Sequence, residues 1–448
     1  MHFQVTPVAL LAASLLFHQI NRYWEYGLSG VGHHYAPIFA IRLPRMAAIF
    51  GQSAALPLAV LTALTMHSPG TRFIPFALVA CWVLATNRRL SNHSWLGTVA
   101  IAAISCTSPD LHAVVAHDLL AGVYLTAALL KVNDEHLLTE RSASRVVTAH
   151  YLGLLGWPLR PRILRTVPFT VVLFEFAVGA LLLVPGGDRW SLWLAILMHL
   201  AFGVSGNFPF SVVAMALWVT MFSSSDRIEV SGDLGSVGCA ALLVGVVALL
   251  LGRSAAGPRS GRWLAKDYWE GAVYGAMGAV ALSLSRGAAV PAPQRSQLTH
   301  WLFVLAFVVN FLLVVTGVKL EWSFAMFTSL RPFGRSWLER HRLAKRPRYY
   351  RLTLPARVPK SLLREIDPVF VYLATRPENV VHEGVAYHLE TEARKCHVSF
   401  SPTLMTDAPA VRELVPDAGA PPCHTSPRPR VLAHPAIAPK SLDQHYLG

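Results

Sequence analysis

The sequence predicts an all-α polytopic membrane helical bundle of about nine to eleven spans, followed by a small mixed α/β C-terminal segment. Three observations lead there. Charged residues fill only 14% of the 448 positions and hydrophobic residues fill 53%, whereas a soluble domain carries about 25% charged residues. The mean hydropathy is +0.43. Apolar runs recur through residues 1–320 with short polar breaks between them.

The runs lie near 6–20, 46–66, 72–86, 93–107, 113–131, 166–185, 190–204, 207–224, 235–252, 271–285 and 299–318. Several are shorter than the roughly 20 residues that cross a bilayer, so some are expected to be half-helices or to extend into their flanks. The junction Ser205-Gly206-Asn207-Phe208-Pro209 reads as a tight connection or a broken helix. Irregular backbone at that depth requires surrounding protein or a wet cavity. Met1 to Gln4 carries no Lys or Arg, and no obvious cleavage site follows, so the first run is read as a retained span.

Charge sets the expected orientation. The breaks at 21–45, 87–92, 131–165 and 253–270 hold roughly fifteen Lys and Arg, and the alternate set at 67–71, 108–112, 186–189, 225–234 and 286–298 holds about four. The positive set belongs inside. The basic stretch from Arg331 to Arg364 falls on the same side, which puts the C-terminus in the cytoplasm. The net charge of +14 is thus assigned to segments lying on anionic membrane lipid. No interleaving of aromatic and basic residues suited to nucleic acid is present.

Residues 1–320 form the membrane domain, 321–405 a basic juxtamembrane segment with a small α/β region, and 406–448 an expected disordered tail. Within the middle segment, Arg348–Leu354 and Val369–Leu373 alternate as strands, 377–394 reads as a helix, and His397–Phe400 as a third strand. Past residue 406 the chain loses apolar periodicity.

Polar residues inside the apolar runs are the functional candidates. Lys131 ends the run Val123–Lys131, where it is either a desolvated base or a lysine that snorkels to the headgroups. Asp134 and Glu135 follow on the adjacent loop as a cap or an ion pair with it. Glu175 lies deep in a span and must be protonated, paired or turned to a wet cavity. Asn92, His93 and Trp95 open another run, where Ser91 or Asn92 would cap the helix, Trp95 would sit in the interfacial belt, and His93 adds a titratable ring. His117 and Asp118 open the run that Lys131 closes, about 20 Å away at helical rise, too far to share one small site. His199 and Asn207 flank the junction and could face one cavity or simply bond helix to helix.

Other chemistry is not signalled. His33-His34 lacks the recurring spacings of a bundle metal site, so no metal is expected. The five cysteines have neither disulfide nor zinc spacing, and no phosphate loop or nucleophile elbow occurs.

Taken in order, Ser91-Asn92-His93-Ser94-Trp95-Leu96, Ala127-Ala128-Leu129-Leu130-Lys131-Val132-Asn133, Met198-His199-Leu200 and Asn207-Phe208-Pro209-Phe210 resemble the membrane domain of the vitamin K-dependent gamma-carboxylases, the HTTM (horizontally transferred transmembrane) family. Trp322 to Phe327 also resembles that family's exit from the membrane. The resemblance implies a lyase that uses reduced vitamin K or a related quinone, with O2 and CO2 as co-substrates, to carboxylate glutamate in a peptide or protein. It implies Lys131 as the base that deprotonates the quinol, and His93 with Asn92 as hydrogen-bond donors to developing oxyanion charge. Trp95, Glu175, His199 and Asn207 are expected to line the substrate site. The chain departs from the animal enzymes in having a short basic tail in place of a large propeptide-binding domain, and in placing Lys131 on the cytoplasmic rather than the lumenal side. Two other readings stand beside it: a non-catalytic membrane maturation or partner-binding protein of the same family, and a solute carrier built on Glu175 and the short paired helices.

Overall fold

The computed structural model describes residues 3–31, 44–65, 71, 73–86, 92–138, 142–154, 157–204, 208–223, 228–230, 234–255, 261–287 and 297–315, together with short strands at 349–352, 381–382, 400–404 and 411–416. The described part is predominantly helical.

β1 (Phe3–Val5) leads into α1 (Pro7–Val31). Pro7 stands at the first helical position, where its missing N–H costs nothing, and the Thr6 hydroxyl accepts from the Ala9 amide at 3.1 Å. The same hydroxyl donates to the Ala63 carbonyl at 3.0 Å, tying the start of α1 to a later helix. α2 (Arg45–Ser53) and α3 (Ala55–Thr65) meet at a bend of 58° around Ala54. α4 (Phe73–Thr86) and α5 (Asn92–Ser105) follow. After a 3-10 turn at Pro109–Leu111 comes α6 (His112–Lys131).

The stretch expected as a loop after Lys131 holds three short helices, α7 (Asp134–Leu138), α8 (Ala143–Leu154) and α9 (Pro161–Leu164). Their amphipathic sequences are too polar to register as apolar runs. Asn133 links α6 to α7: its amide donates to the Leu130 carbonyl at 2.9 Å, and its side-chain oxygen accepts from the His136 amide at 2.9 Å. One side chain thus closes one helix and caps the next. α10 (Val167–Leu183), α11 (Asp188–Phe202), α12 (Phe208–Met221), β2 (Ile228–Val230), α13 (Leu234–Ala255), α14 (Gly261–Gly287) and α15 (Gln297–Val315) complete this part of the chain. β1 and β2 pair antiparallel, Gln4 opposite Glu229.

α6 and α12 occupy the centre. Every residue of α12 is buried, as are sixteen of the twenty in α6. A helix that is apolar all round needs such a position. α6 packs on α5, α10, α12 and α15, and α12 packs also on α1, α11 and α14. α13 and α14 make the closest helix pair, because glycines face backbone across it. A Cβ on Gly275 would stand 2.6 Å from the Ala240 carbonyl oxygen. Small residues at such crossings are the usual device where apolar solvent supplies no hydrophobic drive. The outer helices turn Leu173, Trp190, Leu197, Leu243, Trp301 and Leu305 outward, all more than half exposed.

Among the described residues, two helical stretches, Pro109–Lys131 and Pro161–Leu183, are long and apolar enough to cross a membrane, and the bent α2–α3 pair would make a third. Shorter apolar helices such as Phe73–Ala85, Phe208–Met221 and Gly235–Leu251 surround them.

In the C-terminal region β3 (Tyr349–Leu352), β4 (Val381–His382), β5 (Phe400–Leu404) and β6 (Val411–Pro416) form one sheet in the order β4-β3-β6-β5. β3 falls in the first expected strand, and β5 begins at the end of the third. Two expectations are corrected: β4 lies inside the stretch read as a helix, and β6 inside the tail read as disordered. Both pair with β3, far off in sequence, and β6 pairs also with the nearby β5. The expected strand at Val369–Leu373 lies outside the described residues.

Candidate functional site

α6 carries three polar side chains at seven-residue intervals, His117, Tyr124 and Lys131, which puts them on one face. Lys131 and His117 are tied to α10, at Glu175 and at the Leu182 carbonyl, and Tyr124 to α11 and α12. That stripe organises the buried polar chemistry of the protein.

At its end, Lys131 Nζ donates to both carboxylate oxygens of Glu175 on α10, at 2.8 Å each. The two residues are 1% and 3% exposed, so water screens neither charge. Removing both from water costs several kcal/mol per ion by general experience, and only close two-point geometry of this kind offsets it. The ion pair of Lys131 therefore runs across the helix interface to Glu175, in place of the expected partner on the following loop.

In the middle of the stripe a directional chain of hydrogen bonds forms. Trp218 Nε1 on α12 donates to Tyr124 Oη at 3.1 Å, and Tyr124 Oη lies 2.7 Å from His199 Nε2 on α11. His199 Nδ1 lies 3.3 Å from Ser211 Oγ, and that hydroxyl donates to the His199 backbone carbonyl at 3.0 Å. Only one assignment satisfies every member: Tyr124 donates to Nε2, and Nδ1 carries the proton and donates to Ser211. Both ring nitrogens of His199 are then held by protein, and the ring is fully buried. Tyr274 adds a further tie, donating to the Ile196 carbonyl at 2.6 Å.

At the other end of the stripe, His117 Nε2 lies 2.7 Å from the Leu182 carbonyl, one of the carbonyls left open at the end of α10. Its Nδ1 lies 3.1 Å from Asp118 Oδ1, and Asp118 Oδ2 lies 3.2 Å from His300 Nδ1 on α15. Asp188, opening α11, approaches His117 Nε2 at 3.9 Å. Asp118 is thus held between two imidazoles.

The remaining expected site residues stand elsewhere or outside the description. His93, near the start of α5, is buried with its ring edge-on to His18 of α1, centroids 3.9 Å apart. Trp95 is half-buried two residues on. Asn92 begins α5. Asn207 lies outside the described residues. Lys131 with Glu175, and Tyr124 with His199, are brought together by the fold. Tyr124, Trp218 and His300 were not singled out from sequence, although the seven-residue spacing from Lys131 back to Tyr124 was available as a signal. Among the described residues no group of three or more His, Cys, Asp or Glu could hold a metal ion.

Fold and site together define a predominantly helical protein with helices able to cross a membrane and a buried lysine–glutamate pair between two of them. Comparison of the chain with protein-family models, with curated proteins and with solved structures finds no match in any of the three.

Proposed function

We propose that the protein is a multi-pass membrane enzyme resembling the vitamin K-dependent gamma-carboxylases, with its C-terminus in the cytoplasm and Lys131 as the base toward a reduced lipid-soluble quinone. The observation that carries this reading is the Lys131–Glu175 pair, enclosed between the two longest apolar helical stretches. A buried ionisable pair in such a place is costly, and the usual reason for keeping one is function.

The residues suit proton transfer. Glu175 can take the ammonium proton across a 2.8 Å hydrogen bond, leaving a neutral amine beside a carboxylic acid. The amine can then accept a proton from an acidic hydroxyl, and the pair stays neutral overall until that moment. The apolar helices around it exclude bulk water, so a proton moves between the pair and a bound substrate rather than into solvent. A reduced quinone bound there would supply the electrons taken up by O2 and the strong base needed to carboxylate a glutamate side chain with CO2. The protein partner would be a glutamate-bearing peptide, and the surrounding partner is membrane lipid.

The test uses the full chain in proteoliposomes given reduced vitamin K, O2 and CO2. Quinone epoxide should form with the natural chain and fall to background with Lys131→Ala. Full epoxide formation by that variant would remove Lys131 from the chemistry.

A second reading is favoured by the same pair's completeness. Both carboxylate oxygens are occupied by one amine, as in an interhelical tie. On that reading the protein is a non-catalytic maturation or partner-binding member of the family. A folded chain that turns over no quinone yet complements its deletion with Lys131 replaced would establish it.

A further inference from the structure

On the face of α6 opposite the stripe runs a cleft of about 320 Å³ between α6 and α15. Asp118 and His300 line it at one end, and Gly122, Leu125, Phe307 and Phe311 are among the residues along its walls. We infer that this cleft binds a single-chain lipid alcohol, with the hydroxyl head on His300 and the chain lying along α6.

The shape limits the occupant. The α6 residues that line the cleft run from Asp118 to Leu129, about 16 Å of helix at 1.5 Å per residue. The volume lies at the lower end of the roughly 300–1,000 Å³ typical of ligand sites, which suits one extended chain rather than a two-chain phospholipid. Gly122 sets how closely α15 approaches α6 at this cleft. Any Cβ there would collide with the Phe307 ring, so the glycine lets the ring lie against the α6 backbone.

The chemistry of the polar end selects the head. Asp118 is held from one side by His117, and its other oxygen faces His300 Nδ1 at 3.2 Å. A carboxylate only accepts, so His300 Nδ1 carries the proton, and the other ring nitrogen is left open to a ligand. That nitrogen has no other hydrogen-bond partner among the described residues. A hydroxyl, which can donate or accept, completes the set without bringing a second negative charge beside Asp118. A fatty-acid carboxylate would meet repulsion from Asp118, and a plain hydrocarbon would leave the ring nitrogen unmatched. The polar end of the cleft lies at the opposite end of α6 from Lys131 and uses none of its contacts, so the inference stands whether or not Lys131 performs chemistry.

The test is photocapture by the full chain in nanodiscs, using a diazirine-bearing dodecanol and mapping the labelled peptides. Label should concentrate on the α6 and α15 segments and be competed about tenfold better by dodecanol than by dodecane or dodecanoate, the worth of one matched hydrogen bond. His300→Phe should abolish that preference and also lower the thermal unfolding temperature, because Asp118 Oδ2 loses its partner. Equal competition by dodecanol and dodecane in the natural chain, or label spread evenly over the outward faces of α10 and α13 as bulk lipid would give, overturns the inference. The first of these comparisons needs no variant, so a misfolded His300→Phe does not rescue it.

Discussion

Lys131 on α6 and Glu175 on α10 are 44 residues apart and meet in a two-point ion pair that water does not reach. The pair explains how a lysine ends an apolar run without snorkelling to the headgroups: its counter-charge comes to it inside the bundle.

Breaking that pair from one side should be costly. Lys131→Met strands a buried carboxylate and is expected to destabilise the fold by about 3–5 kcal/mol. The double variant Lys131→Met/Glu175→Leu should recover most of the loss, since apolar residues of similar size often replace a buried pair at little cost. Denaturation in detergent micelles measures both. If the proposed chemistry holds, the double variant is folded and inactive, which separates the pair's structural part from its catalytic one.

Tyr124→Phe should orphan two buried groups at once, the Trp218 N–H and His199 Nε2. Each is expected to cost about 1–3 kcal/mol. Nitrogen-15 NMR of histidine-labelled protein should report His199 protonated on Nδ1 in the natural chain. Protonation on Nε2 would contradict the direction assigned to the hydrogen-bond chain.

The approach of α10 to α6 depends on Gly179, whose added Cβ would stand 2.8 Å from Leu125. It sits one helical turn from Glu175 on the same face. Gly179→Val should push the helices apart and cost about 1–3 kcal/mol by overpacking. The coupling between Lys131 and Glu175 in a double-mutant cycle should fall with it. Undiminished coupling would show that the pair does not rely on this contact.

Orientation can be read with an impermeant maleimide on intact cells in a cysteine-free background. Asp110 and Trp157 are both exposed, at opposite ends of the expected topology. Asp110→Cys should label from outside, and Trp157→Cys only after permeabilisation. The reverse pattern would invert the proposed orientation.

Much of the helical layout was legible because burial and lipid exposure both demand continuous apolar runs, so each run marks a helix wherever it packs. The α2–α3 break lay inside one apolar run, although Pro57 signals it: proline has no N–H for the Ser53 carbonyl four residues back, and the helix bends there. α7, α8 and α9 stayed hidden because short polar helices have no apolar signature. The two-residue β4 was missed because its partner β3 lies about thirty residues away, whereas β6 has the nearby β5 as one partner and was missed because its own stretch lacks apolar periodicity.

Site residues divide along the same line. Composition and hydropathy alone marked Lys131, Glu175 and His199 as out of place, because a polar group inside an apolar run is conspicuous by its own cost. Which group satisfies which was decided only by tertiary packing. Lys131 found Glu175 rather than its neighbours in the loop, and His199 found Tyr124 and Ser211. His300 gained its meaning only from meeting Asp118 across 182 residues of chain. Burial cost is a property of one residue and its neighbours in sequence, whereas the hydrogen bond that offsets it is a property of two helices in space.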